Sequence, residues 1–86
     1  MIKIWAKIIV DNKITKDIIY ESVDNYTREE FFDHLSDICH QLNIPTPVLI
    51  SNHYETYENF NMVKFLPRDF VESLDFDKLE IENAKR

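Results

Sequence analysis

Apolar and polar residues alternate over the first 22 positions in a way that predicts a β-hairpin. In residues 2–10 every even-numbered residue is apolar, while Trp5 and Ile9 fall on the opposite side. This period of two is typical of a β-strand. A turn at residues 11–13 then leads to a second predicted strand, residues 14–22.

Side-chain parity predicts the register of this hairpin, because a slip of one residue turns every side chain to the other face. A plain two-residue turn would set the apolar row of the first strand against Thr15, Asp17 and Glu21. A loop of three residues, 11–13, avoids that clash. It predicts the following cross-strand pairs: Val10–Ile14, Ala6–Ile18, Ile4–Tyr20, Lys3–Glu21, Trp5–Ile19 and Lys7–Asp17.

Residues 26–42 form the predicted main helix. Thr27 and Glu30 have the spacing of a capping box, and Tyr26 and Phe31 that of a hydrophobic staple. The apolar stripe recurs at helical spacing and has two flanking residues; it consists of Phe31, Leu35, Ile38 and Leu42, flanked by Phe32 and Cys39. The opposite side is polar and carries Glu29, Asp33, Asp37 and His40.

After Asn43 ends this helix, Pro45 and Pro47 favour an extended chain. The apolar run 48–50 then predicts a strand that is buried on both faces. A strand–helix–strand unit normally has parallel strands. We therefore expect the sheet order second, first, third, with the helix on the face of the first strand that carries its even-numbered residues.

The second half of the chain predicts shorter elements. Residues 51–61 are compatible with a short helix capped by Ser51 or Asn52, or with a loop. We expect the remaining segments to be a strand at 62–66, a turn or one short helix at 67–71, a half-exposed edge strand at 76–82 and a fraying end at 83–86. The predicted fold is a single α+β domain, residues 1–86: an N-terminal β-hairpin and one main amphipathic helix packed on a mixed four- to five-stranded sheet.

Composition narrows the classes of function. The net charge of −6 argues against a sequence-independent nucleic-acid binder, which needs a basic face. No signal peptide and no membrane-spanning apolar run is expected in the sequence. The one cysteine, Cys39, fits a reducing cytoplasm, and the absence of glycine excludes Gly-rich phosphate loops.

Residues 60–82 (FNMVKFLPRDFVESLDFDKLEIE) carry spaced aromatic and acidic residues. In this pattern the chain resembles a group of small, single-domain bacterial proteins of unknown function. The resemblance implies a cytoplasmic bacterial protein, and it carries no functional residues across.

The residues with reactive or metal-binding side chains do not form a recognisable site. His34 and His40 lie six residues apart on the predicted helix, roughly 120° round its axis, so they cannot chelate one metal. The helix pattern predicts that Cys39 is a small residue that flanks the core. We therefore predict no metal, no cofactor and no catalytic cysteine, and a binding protein is favoured over an enzyme.

Two functions remain open. The favoured one is a small protein-interaction module that binds a protein partner or a second copy of itself. Its contact surface would be Trp5, Ile9 and Ile19, which the register places together inside a ring of charges. The alternative for this surface is that Phe70 or Phe76 folds over it within the monomer.

The runner-up function is a small-molecule binder or an enzyme. Its predicted site is the loop-like region around His53, Tyr54 and Tyr57, together with Arg68. His53 is the histidine for which the helix pattern offers no structural explanation.

Overall fold

The computed structural model describes residues 1–85, which form two helices over one face of a four-stranded antiparallel sheet. The strands and helices, in chain order, are β1 (Ile2–Val10), β2 (Lys13–Ser22), α1 (Arg28–Leu42), α2 (Ser51–Phe60), β3 (Met62–Phe65) and β4 (Lys78–Asn83). A single 3₁₀ turn, Pro67–Asp69, precedes β4. The predicted α+β class, the N-terminal hairpin and the strand number are confirmed.

The hairpin reaches the predicted register by a different route. Asp11 and Asn12 both have positive φ (52° and 64°) and form a two-residue turn of the primed kind. The extra residue that the register requires lies in a β-bulge and not in the loop, since Ile8 pairs with Lys16 but Ile9 pairs with Ile14. The five predicted pairs before the bulge are confirmed, namely Lys3–Glu21, Ile4–Tyr20, Trp5–Ile19, Ala6–Ile18 and Lys7–Asp17. The predicted Val10–Ile14 pair is wrong, because Val10 lies opposite Lys13.

The sequence pattern of α1 is confirmed with small changes at its boundary. The backbone N–H of Glu30 donates to Oγ1 of Thr27 (3.2 Å), so Thr27 is the N-cap and Arg28 the first helical residue. Asn43 ends the helix in the left-handed conformation. The buried residues of the helix are Phe31, His34, Leu35, Ile38, Cys39 and Leu42, whereas Phe32 is 44% exposed.

The sheet order is β2-β1-β4-β3, and every neighbouring pair is antiparallel. The predicted parallel strand at 48–50, and with it the mixed sheet, is therefore wrong. Val48 and Ile50 are about half exposed, and the N–H of Val48 donates to the backbone oxygen of Asp69 instead (2.8 Å). The place beside β1 belongs to β4, whose alternation sends Leu79 and Ile81 into the core.

This position also corrects the prediction of an edge strand at 76–82, since β4 lies inside the sheet between β1 and β3. Its alternating polar side chains suggested solvent exposure, but Glu80 lies opposite Lys7 of β1 and Lys64 of β3. The predicted fraying is wrong at Asn83, which lies opposite Ile4, and at Ala84, whose N–H donates to the backbone oxygen of Lys3 (2.8 Å). Arg86 lies outside the described residues.

The hydrophobic core lies between the helices and one face of the sheet. The sheet contributes the even-numbered residues of β1 and the alternate residues of the other strands, including Tyr20, Val63, Phe65, Leu79 and Ile81. Phe70 and Phe76 join this same core and pack edge to face, with ring centroids 5.8 Å apart. The alternative in which they cover Trp5 is therefore wrong, and the helices and both rings lie on the other side of the sheet.

Candidate functional site

The face of the sheet turned away from the helices is the candidate site, and we call it the open face. Its side chains follow from strand parity and from the observed register. They are Lys3, Trp5, Lys7 and Ile9 from β1, Asp17, Ile19 and Glu21 from β2, Met62 and Lys64 from β3, and Lys78, Glu80 and Glu82 from β4.

Two rows of this face cross all four strands. The charge row reads Asp17, Lys7, Glu80 and Lys64, so the sign of the charge alternates from one edge of the sheet to the other. The adjacent tryptophan row reads Ile19, Trp5, Glu82 and Met62. Directly opposite side chains in a sheet lie close enough to interact, and alternating charges along a row are favourable.

Trp5 and Lys7 are held in fixed positions at the centre of the open face. The indole Nε1–H of Trp5 donates to Oδ2 of Asp17 (2.8 Å), and Nζ of Lys7 lies 3.9 Å from the centre of the indole ring. The Lys7 ammonium contacts Oε1 of Glu82 at 2.9 Å and Oε1 of Glu80 at 3.5 Å. These carboxylates and the cation–π contact compensate the desolvation of a side chain that is only 8% exposed.

The predicted contact residues differ in accessibility. Ile19 is 53% exposed and lies beside Trp5, as the register predicts. Ile9 is buried, at 7% exposure, and contributes little accessible surface. Lys7 was predicted to pair with Asp17, but its ammonium turns to β4 while Asp17 accepts from Trp5. The exposed charges of the charge row are its two ends, Asp17 and Lys64.

The four residues of the runner-up site do not converge. His53 and Arg68 line one shallow cleft of about 350 Å³ between α2, β3 and the 3₁₀ turn. Tyr54 and Tyr57 point to α1, where their ring centroids lie 6.1 Å and 4.8 Å from that of Phe31. Burial raises the pKa of Tyr57 to about 12, which suits a core residue rather than a general base.

His53 has a structural explanation in the observed contacts. Its Nδ1 accepts from the backbone N–H of Ile50 (3.1 Å), which closes the N-terminus of α2 in the manner of a capping box. Its ring packs on Phe65 at a centroid distance of 4.7 Å, and its Nε2 lies 3.6 Å from Oδ1 of Asp69. Both ring nitrogens thus face groups that hold the fold.

A second buried histidine lies between β2 and α1. Tyr20 Oη lies 2.9 Å from Nδ1 of His34 and donates to Oδ2 of Asp37 (3.3 Å). Burial, and then the charge of Asp37, raise the pKa of Tyr20. Within residues 1–85 no group forms a hydrogen bond with His34 Nε2, and Oδ2 of Asp24 lies 3.8 Å away. This contact was not predicted from the sequence, because it depends on the sheet register and the helix position together.

A tyrosine–carboxylate–arginine cluster joins α1 to α2. Glu58 accepts from the hydroxyl of Tyr26 (2.6 Å) and from Nε and Nη2 of Arg28 (both 2.7 Å). The bonds from Arg28, and then that from Tyr26, lower the pKa of Glu58 to about 2. A bidentate pair of this kind fixes the relative position of the two helix ends.

Cys39 is fully buried, and this burial raises the pKa of its thiol to about 12. A thiol of that pKa carries almost no thiolate near neutral pH, and the thiolate is the nucleophile. Within residues 1–85 no group of three or more His, Cys, Asp or Glu side chains is arranged to hold a metal ion. The predicted lack of a metal or cofactor stays a prediction.

No family model, no curated protein and no solved structure matches the chain in the three comparisons with known proteins. The resemblance to small bacterial proteins therefore stays a prediction. None of the helices in residues 1–85 has the length and apolar character that crossing a bilayer requires.

The hairpin half of the open face was predicted from the sequence, and the half formed by β3 and β4 was not. The hairpin register identified Trp5 and Ile19, but Met62, Lys64 and Glu80 were missed because β3 and β4 had no assigned neighbours. Their alternation was visible in the sequence. The pairing of β4 with β1 could not be predicted from the sequence, because it brings residues some 75 positions apart into contact.

Proposed function

We propose that this protein is a small interaction module that binds a second copy of itself through the open face of its sheet. The observation that carries the proposal is the charge row, Asp17–Lys7–Glu80–Lys64. It alternates in sign across the whole sheet, beside a row that exposes Ile19 and part of Trp5. Apolar side chains next to polar and charged ones are the usual make-up of a contact surface.

Symmetry favours a second copy as the occupant. The charge row contains two acids and two bases in alternation, so the order of its charges reverses in sign when the row is followed from the other end. A face with this property complements itself when two copies meet head to head, and two-fold dimers are the commonest assemblies of soluble proteins. No other class of partner is indicated so directly by the residues of this face.

The proposal also places the protein in the cytoplasm. The support is Cys39, a buried free thiol and the one cysteine of the chain, which suits a reducing compartment. The enzyme alternative has less support, since His53, Tyr54, Tyr57 and Arg68 do not share one cleft.

Light scattering over a range of protein concentrations tests the proposal. We expect the wild type to approach twice its monomer mass as the concentration rises. Ile19→Glu, which puts a charge into the exposed apolar part of the face, should stay monomeric and folded. Val71→Glu is the matched control, since Val71 is 89% exposed and lies outside the open face.

A wild-type protein that is monomeric at every concentration would contradict the proposal. So would equal loss of association in the Ile19 and Val71 variants, because that result would trace association to general charge and not to this face.

A further inference from the structure

We infer that the two copies are related by a two-fold axis that runs parallel to the strands and passes between β1 and β4. This inference rests on the proposed self-association and adds the orientation of the two chains and the residues that meet. The central consequence is that Asp17 of one copy faces Lys64 of the other. Each dimer contains this contact twice.

The orientation follows from the order of charges across the sheet. Two sheets that pack face to face are related by a two-fold axis lying in the plane between them. When this axis runs along the strands, it reverses the strand order, so that β2 faces β3 of the partner and β1 faces β4 of the partner. The charge row then meets its own reversed sequence of signs: Asp17 faces Lys64, and Lys7 faces Glu80.

A two-fold axis in the other in-plane direction, across the strands, is unfavourable. A two-fold axis that ran across the strands along the charge row would set β2 over β2 and β1 over β1. Asp17 would then face Asp17, and Lys7 would face Lys7. Like charges opposed across an interface disfavour association, so the charge row selects the axis along the strands.

The tryptophan row independently agrees with this choice. With the axis along the strands, Ile19 of one copy faces Met62 of the other, which pairs two apolar side chains from the outer strands. Trp5 lies over Glu82 of the opposite chain in the same arrangement. Apolar contacts therefore lie next to the charged contacts at the two ends of the face.

The size of the face predicts a weak and reversible dimer. Four strands at a spacing of ~4.8 Å, covered over about seven residues each, give roughly 450 Å² per partner. This area is at the low end for specific interfaces, where complexes are transient. Because Asp17 and Lys64 are exposed at the rim, dissociation should increase with salt concentration.

Cross-linking with a water-soluble carbodiimide tests the predicted contact directly, since this reagent joins a carboxylate to an adjacent amine without a spacer. Inside one chain Asp17 and Lys64 lie on the two outer strands, three strand spacings or roughly 14 Å apart, so they cannot be joined. We expect the covalent dimer to contain an Asp17–Lys64 linkage in its peptide map. The linkage should be absent from Lys64→Gln, and in both proteins a Lys78–Glu80 linkage within one chain shows that the reagent reached the face.

A charge exchange gives a second test in solution. Lys64→Glu should raise the dimer dissociation constant about tenfold, since it changes two attractive contacts into two repulsive ones. Asp17→Lys should do the same, and the double variant should recover most of the wild-type affinity. Asp17→Asn keeps an oxygen acceptor for the Trp5 indole and separates loss of charge from loss of that hydrogen bond. Glu72→Lys, an exposed charge reversal outside the face, should leave the dissociation constant unchanged.

The outcomes separate the two proposals. A wild type that dimerises and is broken by Ile19→Glu, but has neither an Asp17–Lys64 linkage nor recovery in the double variant, would overturn the axis while the proposed function stands. A wild type that is monomeric throughout would overturn both. The linkage together with the recovery would establish the axis along the strands.

Discussion

The buried polar side chains of this small protein have structural partners, although Nε2 of His34 forms no hydrogen bond within residues 1–85. Lys7 is enclosed by Trp5 and two carboxylates, His53 closes the start of α2, and His34 is bonded to Tyr20. Buried polar groups are stable only when such partners compensate their lost hydration. A histidine without a role in the sequence pattern is thus a poor indicator of a catalytic site here.

Glu58 gives a prediction about acid stability. Its pKa is lowered to about 2 in the folded chain by Arg28 and Tyr26, against an ordinary value of 4.5. A lowered carboxyl pKa stabilises the fold above the ordinary pKa, and this contribution is lost as the pH falls from about 4.5 through 2. We expect Glu58→Gln to lower the urea midpoint at pH 7, with the difference from wild type shrinking over that window.

The control for this measurement is Glu72→Gln, an exposed glutamate outside the cluster. The urea midpoint of Glu72→Gln should equal that of the wild type both at pH 7 and at pH 2. A Glu58→Gln deficit that stayed constant down to pH 2 would show that the loss comes from packing and not from the charge of the carboxylate.

At the scale of elements, the sequence predicted those features that depend on interactions between residues close together in the chain. The N-cap at Thr27, the stripe of α1 and the parity of β1 against β2 all depend on residues near each other in the chain, and all three are confirmed. In place of the reciprocal bond of the predicted capping box, the Glu30 carboxylate accepts from the Thr27 hydroxyl. Side-chain parity even required one extra residue in the hairpin. That residue was predicted in the loop, whereas the chain uses a tight two-residue turn and a bulge at residue 15.

The pairing of strands that are distant in sequence could not be predicted in the same way. The apolar run 48–50 indicated a buried strand, but Pro45 and Pro47 precede an extended segment that bonds to Asp69 outside the sheet. The strand beside β1 came from residues 78–83, where charged side chains suggested an edge. The Lys7 contacts help to explain why Glu80 and Glu82 lie on a central strand, and these contacts need the tertiary structure. The charge row was therefore beyond prediction from sequence.

The α1 stripe gives a prediction about stability. Leu35 is fully buried between the helix and the sheet, so Leu35→Ala should lower the free energy of unfolding by about 2–5 kcal/mol. Phe32→Ala on the same helix removes a side chain that is 44% exposed and should have a smaller effect. Chemical denaturation of the three proteins measures both changes. An unchanged midpoint for Leu35→Ala would show that α1 is not part of the core.

At the scale of the whole molecule, the fold separates a packed face from an open one. The helices, Phe70 and Phe76 all cover the same side of the sheet, while the other side displays the charge row and the tryptophan row. A four-stranded sheet with one face that neither helix covers is a suitable surface for packing a second sheet, because face-to-face sheet packing buries side chains of both copies. Self-association through this face is the central claim.

The most direct measurement uses Trp5, the one tryptophan of the chain, which lies in the open face. Its fluorescence quenching by acrylamide reports how freely a small solute reaches the indole, and it can be followed against protein concentration beside the mass from light scattering. We expect the quenching constant to fall as the mass rises from monomer to dimer, with the same midpoint, and to stay constant in Ile19→Glu. A mass that doubles while the quenching of Trp5 stays the same would place the contact elsewhere and contradict the claim.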